Sequence, residues 1–274
     1  MNLVKNTNKI DNKEFCKNIR KKIVELIYHA QSGHIGPSLS IVEIVSSVYK
    51  EHINFNNENR NKFILSKGHA VPALYAVYDQ LGLLKKNEIT TLRKFGSRLQ
   101  GHPDLRKLDI LDAGTGALGQ GLSIAIGYCL SFKLQQLSNK VFCLLGDGEL
   151  QEGQIWESLM YIGVKKIKNL IVFIDGNKFQ NEFSIDETLP IKNLKEKFTS
   201  FGLKYIEIDG HDYEVLSDIN DDFINNKFDS PVIVYCNTIK GKGISFMENN
   251  NSYHHIKNLS QQDYYKIITE IENS

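Results

Sequence analysis

Five short runs constrain the fold more than anything else in this chain: KFILS at 62–66, VFCLLGD at 141–147, NLIVFID at 169–175, KYIEIDG at 204–210 and PVIVYCNTI at 231–239. All are nearly continuous in apolar residues. A strand with one wet face alternates, whereas a strand covered on both faces does not. Each run therefore predicts a strand sandwiched between two layers. The intervals carry helical patterns. Phe15, Ile19, Ile23, Leu26, Ile27 and Ala30 recur at helical spacing over 13–30, in a helix expected to end at Gly33. IVEIVSSVYKEHI follows Ser40, and PALYAVYDQLG follows the first strand. Parallel neighbours need crossover connections, and a helix is available for each. The expected architecture is thus α/β: a three-layer domain with a mainly parallel central sheet flanked by helices.

Composition narrows the function. The 274 residues include 33 Lys+Arg against 32 Asp+Glu, so no global field is available to hold a polyanion. Nucleic acid and anionic membrane are not expected partners. The cysteines, Cys16, Cys129, Cys143 and Cys236, stand far apart in mostly apolar surroundings and form no C-x-x-C pair. Reduced core thiols and a cytoplasmic setting are expected. The opening MNLVKNTNKIDNKEF is too polar for the apolar part of a signal peptide. Ala113 to Phe132 is long and uncharged, but it begins with Gly114, Gly116, Gly119 and Gly121, and reads as a glycine-rich loop feeding a buried helix rather than a membrane span. Residues 85–112 read as a surface excursion, and 248–260 as a polar loop before a last short helix.

The chemistry concentrates in Leu145-Gly146-Asp147-Gly148-Glu149-Leu150-Gln151-Glu152-Gly153, followed by Asp175-Gly176-Asn177-Lys178. Alone, G-D-G is a turn. Here Asp147 closes one strand and Asn177 follows the next, separated by one strand–helix–strand unit of about 30 residues. Both then emerge at the carboxyl edge of a parallel sheet, where open α/β sheets bind ligands. A carboxylate and an amide oxygen are hard ligands suited to Mg²⁺ or Ca²⁺, and Mg²⁺ keeps positions for phosphate oxygens. Gly146 and Gly148 allow close approach of a diphosphate, toward which the helix beginning near Gln151 presents its amides.

At these residues the chain resembles the thiamine diphosphate enzymes, and among them the N-terminal half of transketolase. Ser32-Gly33-His34, Leu65-Ser66-Lys67-Gly68-His69-Ala70, Gly101-His102-Pro103, Thr115-Gly116-Ala117-Leu118-Gly119-Gln120-Gly121, GDGELQEGQIWE and DGHD at 209–212 occur in transketolase order, from about residue 12 to 247. The resemblance implies that Asp147, Asn177 and the Phe179 carbonyl hold Mg²⁺ on the cofactor diphosphate. Gly146, Gly148 and Glu149 would bind around that diphosphate, Gly116 and Leu118 would flank the aminopyrimidine, and Glu152 would lie near a subunit contact. His34, His69 and His102 would line the funnel over the thiazolium, with His69 also touching the cofactor. His254 stands where the family usually has an aromatic-His-Gly sequence. Its neighbour is His255 instead of glycine, which leaves open which of the two is the active-site histidine. Ile35 replaces a frequent proline after the first motif histidine, a change expected to alter loop stiffness more than chemistry. Trp156 and Tyr161 read as packing residues.

In this family a second, pyrimidine-binding domain supplies the glutamate that activates the cofactor, and Ser274 falls about where it would begin. The expectation is a single thiamine diphosphate domain over 1–274, with the pyrimidine-binding half on a separate C-terminal subunit, in an α2β2 assembly acting on sugars or sugar phosphates. Alone, the chain should be nearly inactive. The loop 114–121 and the helix 151–162 are the expected contact surfaces. The competing readings are the α subunit of a 2-oxo acid dehydrogenase, disfavoured by the row of histidine motifs suited to sugar hydroxyls, and a noncatalytic scaffold that kept the fold.

Overall fold

All five apolar runs become strands in the computed structural model, which describes residues 10–181 and 183–273. They are β1 (Lys62–Leu65), β2 (Val141–Gly146), β3 (Leu170–Gly176), β4 (Lys204–Asp209) and β5 (Val232–Asn237). Their order is β1-β2-β3-β5-β4, with every neighbouring pair parallel. Eight helices surround the sheet among the described residues: α1 (Asn12–Ala30), α2 (Val42–Glu51), α3 (Val71–Gln80), α4 (Gly121–Leu134), α5 (Gly153–Lys165), α6 (Leu194–Ser200), α7 (Tyr213–Ile224) and α8 (Gln261–Asn273), besides shorter helical turns.

The side chains of the central strands divide between two cores. Phe142, Leu144, Ile171, Phe173, Val232 and Val234 pack with Ile19, Val45, Leu74, Leu216 and Phe223 from α1, α2, α3 and α7. Cys143, Leu145, Val172, Ile174 and Ile233 pack with Leu122, Leu159 and Phe198 from α4, α5 and α6. Burial on both faces explains why these strands show no alternation. β4, one of the two edge strands, differs in being half exposed, and its exposed Lys204, Glu207 and Asp209 discourage pairing with another chain. The four cysteines are buried and free. Among the described residues no helix is long and apolar enough to cross a membrane.

Three local expectations need correction. α1 stops at Ala30, before Gly33, because Gln31 takes a left-handed φ of 51° and caps the helix onto the Tyr28 carbonyl. The 85–112 segment is more than a surface excursion: it plugs Ile89, Leu92, Leu99, Leu108 and Leu111 into the core, and Asp112 pairs with Arg60 at 2.8 Å. The polar stretch 248–260 contains a short strand, Ile256–Lys257, that pairs antiparallel with Ser32–Gly33. Ile35, at 0% exposure, begins a helical turn, so the residue in the proline position is a core anchor.

Candidate active site

Strand register sets the floor of the site. Gly146 lies opposite Asp175, and Gly176 opposite Asn237, so Asp147, Asn177 and Thr238 leave three adjacent strands at the same carboxyl edge. Asp147 and Asn177 are buried and line, with Phe179, one cleft of about 330 Å³. Amides of Gly148 (2.8 Å) and Lys178 (2.5 Å) donate to the Asp147 carboxylate. Burial and the neighbouring Asp175 carboxylate nevertheless push the Asp147 carboxyl up to about 7. The Asn177 amide nitrogen donates to Asp175 at 2.8 Å, which fixes the amide oxygen as the group left to accept; Phe179 N reaches it at 3.0 Å.

Asp175 organises this floor. Its carboxylate is fully buried and receives Lys67 Nζ, Ser40 Oγ (2.8 Å), Asn177 Nδ2 and Thr238 Oγ1. Four chain segments are thereby tied beneath the cleft.

The residues present fit a metal–diphosphate group. A Cβ at Gly148 would stand 3.0 Å from Gln180 Cβ, so only glycine keeps that wall open, and the Gln180 side-chain oxygen is buried without a partner. The oxygens such a group would use, those of Asp147, Asn177 and the Phe179 carbonyl, are hard donors, and these three residues line the cleft together. Lys67 and Lys240 line the same cleft and bring positive charge. Lys240 is held by the Asn181 carbonyl (2.9 Å) and Asn251 Oδ1 (3.1 Å), and burial lowers its ammonium to about 8. Glu149 lines the cleft too, but its carboxylate is occupied by Ser66 Oγ, Gly119 N and Gly146 N. Those contacts clamp the glycine-rich loops together around the cleft.

Four histidines form the rim. His34 caps the helical turn Ile35–Leu39, His69 lies in the turn after β1, His102 comes from the 85–112 segment and His254 follows the turn Asn251–Tyr253. His34 ring centroids lie 5.3 Å from His69, 6.2 Å from His102 and 5.4 Å from His254. All four line the cleft. The Ser32–Gly33 ladder with Ile256–Lys257 brings His254 there. His255 turns the other way, toward Ser32 Oγ (3.4 Å) and Arg93 Nη1 (3.2 Å), so of the adjacent pair it is His254 that faces the cleft. Burial is the main cause that lowers His34 and His254 to about 3, and it lowers His69, His102 and His255 as well. Neutral imidazoles at pH 7 both donate and accept, as contacts to hydroxyls and proton transfer require. His254 Nδ1 is buried with no partner, a polar atom awaiting one.

Gly116, Leu118 and Glu152 complete the cleft wall on the side of α5. Trp156 stacks on Phe198 at 5.8 Å and donates to the Leu150 carbonyl at 2.7 Å, a packing role. Tyr161 is exposed with Met160 and Val164, forming an uncovered apolar stretch of α5. Sequence motifs alone assign no task to Lys67, Asp175, Gln180 or Lys240. Lys240 has a usable signal: the strand-end argument applied to Asp147 and Asn177 holds equally for the residues just past β5.

A larger cavity of about 590 Å³ lies between α1 and the DGHD loop. Its Glu43 is already paired with Arg20 (2.7 Å) and His211 (3.0 Å), and His211 Nε2 accepts from Ile239 N at 2.9 Å. That network is closed on itself, with its charged groups already paired to one another.

Comparison with known proteins agrees with this geometry. Residues 11–269 match the family described as transketolase, thiamine diphosphate binding domain. The chain is 36% identical over 260 residues to the 6-deoxy-6-sulfo-D-fructose transketolase subunit SqwG of Clostridium sp. (strain MSTE9), covering 93% of this chain and 94% of that one. It is 33% identical to a subunit of the apulose-4-phosphate transketolase of Phocaeicola vulgatus, covering 92% and 90%. The human transketolase is 32% identical, with 95% of this chain matched to 42% of that protein. Among solved structures, transketolase from Leishmania mexicana superposes with a TM-score of 0.87 at 23% identity, covering 96% of this chain and 41% of that one, a likeness of fold. The chain therefore spans less than half the length of the solved transketolases it matches.

Proposed function

Since the chain belongs to the transketolase thiamine diphosphate-binding family, we propose that it is the diphosphate-binding, N-terminal subunit of a two-chain transketolase. It would move a two-carbon ketol group from a ketose or ketose phosphate to an aldose or aldose phosphate. The observation that carries this reading is the single cleft in which Asp147 and Asn177 sit beneath His34, His69, His102 and His254.

Asp147, Asn177 and the Phe179 carbonyl would hold Mg²⁺, and Lys67 and Lys240 would offset the remaining charge of the diphosphate. The bound cofactor supplies the thiazolium carbanion that attacks the ketose carbonyl and accepts the electrons of C–C cleavage. The chain's own residues orient and polarise. The histidine rim binds sugar hydroxyls and carries protons to and from them, and Leu118 packs beside the pyrimidine.

A separate pyrimidine-binding subunit is proposed because relatives named as subunits match this chain nearly end to end, whereas the one-chain transketolases are far longer. Exposed Leu118 at the cleft, and exposed Met160, Tyr161 and Val164 along α5, offer apolar surface for such an α2β2 contact. Four buried, unpaired cysteines suit a reducing, cytoplasmic compartment.

Mixing the chain with a candidate C-terminal subunit, thiamine diphosphate and Mg²⁺ tests the reading. Ketol transfer from xylulose 5-phosphate should appear only in the mixture. Transfer at ordinary enzyme rates by the isolated chain, or pyruvate decarboxylation by the mixture, would overturn it.

A further inference from the structure

The DGHD motif, Asp209-Gly210-His211-Asp212, lends no residue to the wall of the cleft, and His211 lines the larger cavity beside α1 instead. What the motif touches is the turn that follows β5. The ladder that fixes β5 ends at Asn237, which pairs with Gly176 on one side and Asp209 on the other. Beyond it the chain turns through Gly241 and Gly243, with φ of 81° and 92°, and strand register no longer dictates position. Yet Lys240, inside this turn, reaches the cleft and is held there by the Asn181 carbonyl and Asn251 Oδ1.

The bracing comes from the opposite side of the turn. His211 Nε2 accepts from Ile239 N at 2.9 Å, which leaves the ring proton on Nδ1, 3.0 Å from Glu43 Oε2. Glu43 meets Arg20 at 2.7 Å, and Arg20 Nε donates to the Lys242 carbonyl at 3.2 Å. One Arg–Glu–His set thus grips the backbone on both sides of Lys240, at 239 and at 242. Glu43 is buried, and although burial opposes it, Arg20 and His211 hold its carboxyl below the ordinary value, so the set keeps its charge. Gly210 lets the motif come close enough. Its N–H donates to the Asn237 carbonyl at 2.8 Å, and a Cβ there would run into Thr238 Cγ2 and stand 2.8 Å from Cys236 Cβ. Both chain neighbours of Ile239 belong to the floor: Thr238 donates to Asp175, and Lys240 enters the cleft.

We propose that His211 is a positioning residue for the cofactor cleft, acting with Glu43 and Arg20 to hold the turn at 238–242 so that Lys240 meets the diphosphate. This rests on the reading of the cleft as a diphosphate site. It gives the DGHD motif a task away from the reacting atoms, and the Ile239 N–H is the link through which that task is carried out.

The test uses the whole chain with Mg²⁺ and thiamine diphosphate. His211→Asn keeps a donor for Glu43 but removes the acceptor for Ile239 N–H, whereas His211→Gln can present an amide oxygen in the place of Nε2. In the cofactor-free chain His211→Asn should speed hydrogen exchange at the Ile239 amide by about tenfold while the β5 amides stay protected, and His211→Gln should restore protection. In calorimetry His211→Asn should weaken thiamine diphosphate binding by about tenfold, and His211→Gln by no more than about threefold. Lys240→Met should weaken it by about tenfold or more. Adding His211→Asn to Lys240→Met should then cost nothing further, since a residue that acts through another loses its effect once that other is gone. Should His211→Asn fail to fold, Arg20→Lys approaches from the far end of the turn: it keeps a cation for Glu43, loses the contact to the Lys242 carbonyl, and should weaken binding by about threefold, again with no further loss on top of Lys240→Met. Unchanged cofactor affinity in the folded variant, no rescue by His211→Gln, or losses that add in the double variant, as a merely structural network would give, overturn the positioning role and leave the cofactor reading intact. A wild type that takes up no thiamine diphosphate sinks the cofactor reading, and the positioning role falls with it.

Discussion

The floor and the rim of the cleft are built on different principles. The floor residues Asp147, Asn177 and Thr238 leave neighbouring strands whose register is fixed over their whole length by backbone ladders, and the Asp175 carboxylate braces Asn177 and Thr238. The rim histidines come from separate segments whose only common feature is where they dock. A parallel sheet converts sequence position into spatial position, so floor chemistry is inherited from the fold. Rim chemistry has to be assembled by tertiary contacts, and it is the part that can differ between enzymes sharing the floor.

Substitutions can break or sharpen that contrast. The largest effect is expected at Asp175. Asp175→Ala would leave Lys67 buried with its carboxylate gone and release Ser40, Asn177 and Thr238, costing about 3–5 kcal/mol of stability. The urea unfolding midpoint measures it. His254→Gln, on the rim, should shift that midpoint little, by about 0.5 kcal/mol or less. Equal losses would mean that rim and floor share one scaffold. Next comes Asp147→Asn, which keeps the shape but removes the anionic ligand. Even outer partners of metal ligands cost about 10–100-fold in metal affinity, so Mg²⁺-dependent cofactor binding should fall by about 100-fold or more in calorimetry. In the assembled enzyme His254→Gln should instead lower turnover while changing cofactor affinity by less than about tenfold. Should His254→Gln lose the cofactor as completely as Asp147→Asn, the division of labour is wrong.

This division also explains what could be read from the chain. β1, β2, β3 and β5 were legible because burial on both faces leaves runs such as VFCLLG and LIVFID with no polar face, and the floor followed from the two strand ends. Lys240 was equally available by that logic, just past β5, but no glycine–acid motif flagged it. The contact between His254 and His34 was not available from pattern. It depends on a two-residue ladder formed by Ser32–Gly33 and Ile256–Lys257, too short to show any periodicity. The core-plugging role of 85–112 was hidden in the same way, since Ile89, Leu92, Leu99, Leu108 and Leu111 are spaced for no regular element. Arg93 reads as one more surface charge until the loop carrying it is seen folded against Gly101 and Ser32.

The mildest expected effect is on pH dependence, and it belongs to the rim. Burial, aided by the charges of Arg93, Lys240 and Lys67 and by the neighbouring histidines, holds His34 and His254 at about 3 in the folded chain. In the unfolded chain an imidazole titrates near 6.5. Between those values the unfolded state binds protons that the folded state refuses, so stability falls as the pH drops through 6.5 and is unaffected by these groups above about 7. The urea midpoint of the cofactor-free chain should therefore be lower at pH 5.5 than at pH 7.5; Asp147, held at about 7, takes up a proton in the same window and opposes the trend, one group against several depressed histidines. Replacing both His34 and His254 by Gln should flatten that dependence, leaving the smaller share owed to His69, His102, His255 and His52, which burial also depresses. A midpoint that rises on acidification in an Asp147→Asn chain, where that carboxyl no longer titrates, would mean that the rim imidazoles are protonated in the folded chain, and would remove the neutral donor–acceptor character on which their role with sugar hydroxyls depends.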